Sequence, residues 1–194
     1  MKTKFIQPLL VLTVLILLIS LAACAPKCII NGRVVDAETE HPIKGAAVAI
    51  RWVEAPLETK PATSQPLDSA QDFSDENGYF KIPDHSDNNF VMGVYKEGYI
   101  CWSNRSRFTN DKKDATIARQ NIRLENGMLV RLEPLKAGHS QDQHASFTVL
   151  VAEEVTESKH SPFYNAIMPL FKRWRDNLRE QFQKTFDKVE PVTR

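Results

Sequence analysis

Turn chemistry interrupts residues 28–134 every few positions, and that punctuation narrows the available folds more than any other feature of the chain. Residues 29–36 alternate loosely, and residues 46–52 place Val48, Ile50 and Trp52 on one face of an extended strand. Phe90, Met92 and Val94 share one face of another. Ser74-Asp75-Glu76-Asn77-Gly78 is a turn whose glycine suits a positive φ, and strand-like residues 79–82 follow it. Glu125-Asn126-Gly127 separates residues 122–124 from 128–132 in the manner of a hairpin. Many short strands with no helical pattern between them predict a mainly β chain, an antiparallel sandwich over 28–134.

Residues 135–160 read as a polar linker (136–144) and one additional strand (146–155). A long C-terminal amphipathic α-helix is expected over 161–190, with Ser161 as N-cap and Pro162 as the first helical residue. Phe163, Ile167, Leu170, Phe171, Trp174, Leu178 and Phe182 recur at three- and four-residue spacing. Pro169 should kink or break this helix. A helix of this length reaches roughly 40 Å, about twice a typical strand. Either its first half docks on the sandwich and its second half projects, or the whole helix folds across its own domain. In the first case Leu178, Phe182 and Phe186 are the partner-binding residues.

At the other end, Lys2 and Lys4 precede an apolar run, Leu9 to Ile19, that gives way to small residues and Cys24. The layout is that of a secretory signal, and about 15 apolar residues fall short of a membrane span. Leu21-Ala22-Ala23-Cys24 resembles the lipobox of bacterial lipoproteins. The resemblance implies a signal peptide at 1–23, cleavage before Cys24, a diacylglyceryl group (with palmitate-type acylation) on its thiol, and a lipidated tether at 24–27. The expected place is the cell envelope, with the membrane as a partner through the anchor. Ala25, where aspartate would retain a Gram-negative lipoprotein in the inner membrane, implies the periplasmic face of the outer membrane in such a host. Without residues 1–23 the 25 basic and 24 acidic side chains become 23 and 24, a net charge near −1, which does not suggest nucleic acid.

With Cys24 consumed by lipid, Cys28 and Cys101 remain as a pair in an oxidising compartment. A disulfide between them would close a loop of about 70 residues and stabilise by roughly 4 kcal/mol; two free buried thiols are the alternative.

Asn31-Gly32-Arg33-Val34-Val35-Asp36, Pro42-Ile43-Lys44-Gly45-Ala46-Ala47-Val48, the 74–80 turn and Lys96-Glu97-Gly98-Tyr99 occur in that order. Together they resemble the carboxypeptidase regulatory-like domain, a transthyretin-like β-sandwich and the non-catalytic companion of a metallopeptidase. Two segments depart from that pattern. Residues 53–72 are long and carry Pro56, Pro61 and Pro66, and residues 101–121 form a polar insertion with Arg105, Arg107, Lys112, Lys113 and Arg119. Loops of such length are generally functional or disordered.

No H-x-x-E, H-E-x-x-H or G-x-S-x-G motif is present, and the chain ends Pro191-Val192-Thr193-Arg194 rather than in the Tyr-Arg-Gly-Ser of transthyretin-like hydrolases. The chain is therefore not expected to be an enzyme, and no catalytic residue, metal or cofactor is assigned. His139, Asp142 and His144, and Asp84, His85 and Asp87, are weak metal candidates that solvated polar turns explain equally well. Two roles follow: a structural or interaction module presented to an envelope protein, or a carbohydrate- or peptide-binding lipoprotein. The second would use Trp102, Arg105 and Arg107 toward an unidentified small ligand, and requires Trp52 and Trp102 outside the core.

Overall fold

The structure, a computed structural model, describes residues 29–53, 66–85, 89–110, 116–119 and 122–186. The leader, Cys24, the tether, Cys28, Asp87, residues 54–65, 111–115 and 187–190, and the side chain of Phe186 lie outside the described residues.

Strands β1 (Ile29–Asp36), β4 (Tyr79–Pro83) and β9 (Leu129–Leu132) form one sheet in the order β4-β1-β9. A second sheet runs β3-β2-β5-β6, from β2 (Ala47–Val53), β3 (Pro66–Phe73), β5 (Phe90–Tyr95) and β6 (Trp102–Ser103). A separate ladder pairs β7 (Ser106–Phe108) with β8 (Thr116–Ala118). Two helices follow, α1 (Gln141–Val155) and α2 (Pro162–Phe186). The chain is thus mainly β, with two stacked sheets and a C-terminal helix pair.

Period-two patterning explains the inner core. Val48, Ile50 and Trp52 of β2 meet Phe90, Met92 and Val94 of β5, Val34 of β1, Phe80 of β4 and Val130 and Leu132 of β9 between the sheets. The opposite face of the second sheet is also covered. Ala47, Ala49, Val91 and Tyr95 pack against Phe147, Val151 and Val155 of α1 and Phe163 and Ile167 of α2. Small residues make room for this layer. A Cβ on Gly93 would lie 2.7 Å from Val151 Cγ1 and 3.2 Å from Phe163 Cζ. Each large side chain buried there contributes about 1.5–3 kcal/mol.

The turn at 75–78 forms as its residues dictate. Asp75 Oδ1 accepts from the Asn77 and Tyr79 N–H groups at 2.8 Å each, and Gly78 has φ 79°. A Cβ there would come within 2.4 Å of the Val34 carbonyl oxygen, so glycine is required twice over.

Four expectations are corrected. Residues 146–155 are helix, not strand. The Ser140 hydroxyl caps α1 by accepting from Gln143 N–H at 3.3 Å, and Phe147, Thr148, Val151, Ala152 and Val155 bury one helical face. The 122–124/128–132 hairpin does not form. Instead, Gly127 N–H donates to Asn31 O at 2.7 Å and Arg33 N–H to Met128 O at 2.9 Å, seating β9 parallel to β1. The sandwich is therefore not wholly antiparallel. Residues 66–73 of the long proline-bearing segment are strand β3, paired with β2, and the polar insertion contributes β6, β7 and β8.

Helix α2 begins at Pro162, with Ser161 Oγ accepting from Tyr164 N–H at 3.0 Å. Gln71 of β3 accepts from the Phe163 N–H at 2.8 Å, tying the helix start to the sheet. The helix continues through Pro169 without ending. No helix among the described residues is long and apolar enough to cross a membrane.

Candidate binding surfaces

The residues singled out as ligand contacts separate in space. Trp102, on β6, is 7% exposed and belongs with Trp52 to the inner core, so neither ring offers an aromatic platform. Arg105 turns toward α1, 3.6 Å from Glu154. Burial raises the Glu154 pKa, and the Arg105 charge opposes that rise. Arg107, on β7, instead reaches Glu133 at 2.9 Å and lines an open recess of about 520 Å³.

Guanidinium groups dominate that recess. Arg107, Arg119, Arg123 and Arg131 line it with Glu125 and Glu133, over a floor that includes Trp102, Met128 and Leu129. Arg131 is held by Glu40 at 2.7 Å. Arg119 lies over the Trp102 ring, 5.3 Å from its centroid, and donates from Nε to the Ser106 carbonyl at 3.3 Å. Its pKa is drawn below the usual value by burial first and then by Arg107, with Glu133 opposing. Arg119 was noted in the sequence only as part of a basic insertion, and Arg123 not at all; neither belongs to a local motif.

A second surface lies on the helix pair. Phe147 and Leu150 of α1 and Trp174 and Leu178 of α2 line a groove of about 310 Å³, bordered by Thr116 of β8. Phe163, Ile167 and Leu170 are buried, Trp174 and Leu178 half-buried, and Phe182 is 58% exposed. Leu150 is 57% exposed. The apolar stripe of α2 therefore continues past the point where the domain stops covering it. Lys172, Arg173, Arg175, Arg179 and Lys184 are exposed on the same helix, with Arg173 paired to Glu97 at 2.9 Å, Arg175 to Asp176 at 3.6 Å and Lys184 to Glu180 at 2.7 Å.

Cys101 does not support the proposed disulfide. It is a free thiol, 2% exposed, in the helix-side core, and burial pushes its pKa up. Cys28 lies outside the described residues. The metal candidates do not assemble either. His144 is buried, and its Nε2 accepts from the Cys101 N–H at 3.1 Å. His139 Nδ1 accepts from the Lys136 N–H at 2.9 Å within a turn. His85 packs against Trp52 with ring centroids 5.1 Å apart, and its Nε2 is 3.7 Å from Asp68. Among the described residues, no three His, Cys, Asp or Glu side chains gather as a metal site.

Comparison with family models and with curated proteins gives no match. Among solved structures the chain is similar to the full-length major pilin SpaD of Corynebacterium diphtheriae (11% identity, TM-score 0.36, 57% of this chain and 30% of the pilin). It is also similar to the pilus adhesin RrgA of Streptococcus pneumoniae (17%, TM-score 0.35, 56% and 15%). A third similar structure is the 3-chlorocatechol 1,2-dioxygenase of Rhodococcus opacus 1CP (18%, TM-score 0.34, 55% and 60%). The chain spans less than two thirds of each of these proteins, and at these identities and TM-scores the likeness transfers neither activity nor partner.

Proposed function

We propose that this chain is a non-catalytic interaction module of the cell envelope, lipid-anchored through Cys24 and presenting its helix pair to another protein. The observation that carries this reading is the apolar stripe of α2, buried at Phe163, Ile167 and Leu170 but continuing through Trp174 and Leu178 to the exposed Phe182. An unmatched stripe of this kind, beside Leu150, costs solubility unless something covers it. Of the helix's five exposed basic side chains, Arg173, Arg175 and Lys184 have carboxylate partners in Glu97, Asp176 and Glu180, and Lys172 and Arg179 favour an amphipathic partner helix with acidic flanks. The transthyretin-like reading of the sandwich is part of the proposal, supported by the ordered 31–36, 42–48, 74–80 and 96–99 segments and the three- and four-stranded sheets. Placement on the periplasmic face of the outer membrane rests on Ala25 and a Gram-negative host.

The test is a photocrosslinker placed at Phe182 or, separately, at Leu150 in the native envelope, with the Leu150 probe repeated in a Leu178→Ser, Phe182→Ser double variant. A discrete crosslinked protein at both positions that disappears in the variant, with an unchanged melting temperature, supports the module. Crosslinking to lipid alone, with equal loss of binding to anionic vesicles, makes the helix a membrane-surface element instead. Mass spectrometry of the N-terminal peptide reads the anchor directly: an unmodified Cys24 still joined to residues 1–23 sinks that part of the reading.

A further inference from the structure

Among the described residues, strand β9 has a neighbour on one side only, β1. Arg33 N–H donates to Met128 O at 2.9 Å and Ala37 N–H to Leu132 O at 2.9 Å, so even-numbered residues of β9 turn their peptide groups toward β1. In a parallel ladder the alternate residues then aim theirs the other way. Among the described residues, the N–H and C=O of Leu129 and Arg131 accordingly form an open edge. Beyond β9 the edge is filled, because Ile100 N–H donates to Glu133 O at 2.8 Å and Leu135 N–H to Gly98 O at 2.9 Å. The open stretch is therefore bounded, and it borders the arginine recess, which Leu129 and Arg131 line.

The guanidinium groups there are unequally engaged. Arg107 and Arg131 have carboxylate partners in Glu133 and Glu40. Among the described residues, the Arg119 guanidinium has the Ser106 carbonyl and the Trp102 ring, and Arg123 has no hydrogen-bond or ion-pair partner. We propose that the β9 edge is a strand-addition site for a short extended acidic peptide, whose backbone pairs with Leu129 and Arg131 while Arg119 and Arg123 bind its carboxylates.

Two features select a peptide over a small anion. The edge presents acceptors as well as donors, and an inorganic anion can engage only the donors, leaving the Leu129 and Arg131 carbonyls to water. A strand satisfies both, and main-chain bonds supply affinity while side-chain pockets supply selectivity. Charge sets the choice of side chain, since guanidinium forks bind carboxylates through paired N–H groups. The volume of about 520 Å³ lies in the usual range for a bound ligand. This site goes beyond the helix-pair reading and is lined by different residues, so Leu178→Ser should leave it intact.

The experiment is fluorescence anisotropy on the full chain in detergent. The probe is a labelled, end-blocked five-residue peptide alternating glutamate and valine. Saturable binding is expected that weakens as salt rises. Arg123→Gln, at an exposed position, should weaken it about tenfold, one lost charge-assisted contact. Arg119→Gln should do the same, with a thermal melt confirming that the Trp102 side remains folded. Methylating alternate backbone nitrogens of the peptide, in one of the two possible registers, should abolish binding. The proposal is overturned by absence of saturable binding, by equal binding of the glutamine-substituted peptide, or by equal binding of both methylated peptides. Displacement by inorganic phosphate or free glutamate at the same concentration as by unlabelled peptide also overturns it, in favour of a small-anion site.

Discussion

His144 shows how much one buried side chain can control. Its Nε2 accepts from the Cys101 N–H, so the ring is neutral, and burial, followed by the charge of His139, lowers its pKa from 6.5 to about 4. Between those values the unfolded chain binds a proton that the folded chain refuses. Stability is therefore fully present above pH 6.5 and falls by up to about 3 kcal/mol as the pH drops to 4. Urea denaturation at pH 7.5 and 4.5 should show the loss, and His144→Gln, which keeps an acceptor for Cys101, should flatten it. Gly93 is a second control point. Gly93→Ala pushes a methyl group against Val151 and Phe163 and should cost about 1–3 kcal/mol in a thermal melt, partly recovered by Val151→Ala. For Cys101, alkylation followed by peptide mapping should find it unreactive in the folded chain. It should be fully labelled in denaturant without reductant; failure to label there would restore the disulfide to Cys28.

At the scale of elements, legibility followed the range of the forces involved. The inner faces of β2 and β5 were readable because Val48, Ile50, Trp52, Phe90, Met92 and Val94 alternate locally. The start of α2 was readable because Ser161 and Pro162 act on their immediate neighbours. Helix α1 was not, because Thr148, Val149 and Val151 give its middle the composition of a strand. What makes it a helix is the Ser140 cap and a buried face that fits Ala47, Ala49 and Gly93. Those three small residues carry little hydrophobic signal, so the second covered face of the sheet was marked only by Val91 and Tyr95, which turn residues 90–95 into an unbroken run buried on both sides. The recess was half-visible. Arg107 was singled out, but its convergence with Arg119, Arg123 and Arg131 depends on a β9 pairing to β1 across almost the whole sandwich.

At the scale of the whole molecule, three layers divide the labour. The inner core between the sheets sets the frame, the outer face of the second sheet seats the helix pair, and the edge of the first sheet borders the recess. The two candidate surfaces share no lining residue, and variants on the helix pair should not alter binding at the recess. The placement of β1 has a mechanical result. It is the first described element and the central strand of its sheet, gripped by antiparallel β4 on one side and parallel β9 on the other. A pull applied through the N-terminus runs along β1, across hydrogen bonds that lie at right angles or aslant to it. Those bonds share the load and must shear together instead of unzipping one at a time. A chain tugged from its first strand should therefore yield abruptly at high force, and an optical-trap extension from residue 29 would record a single large rupture.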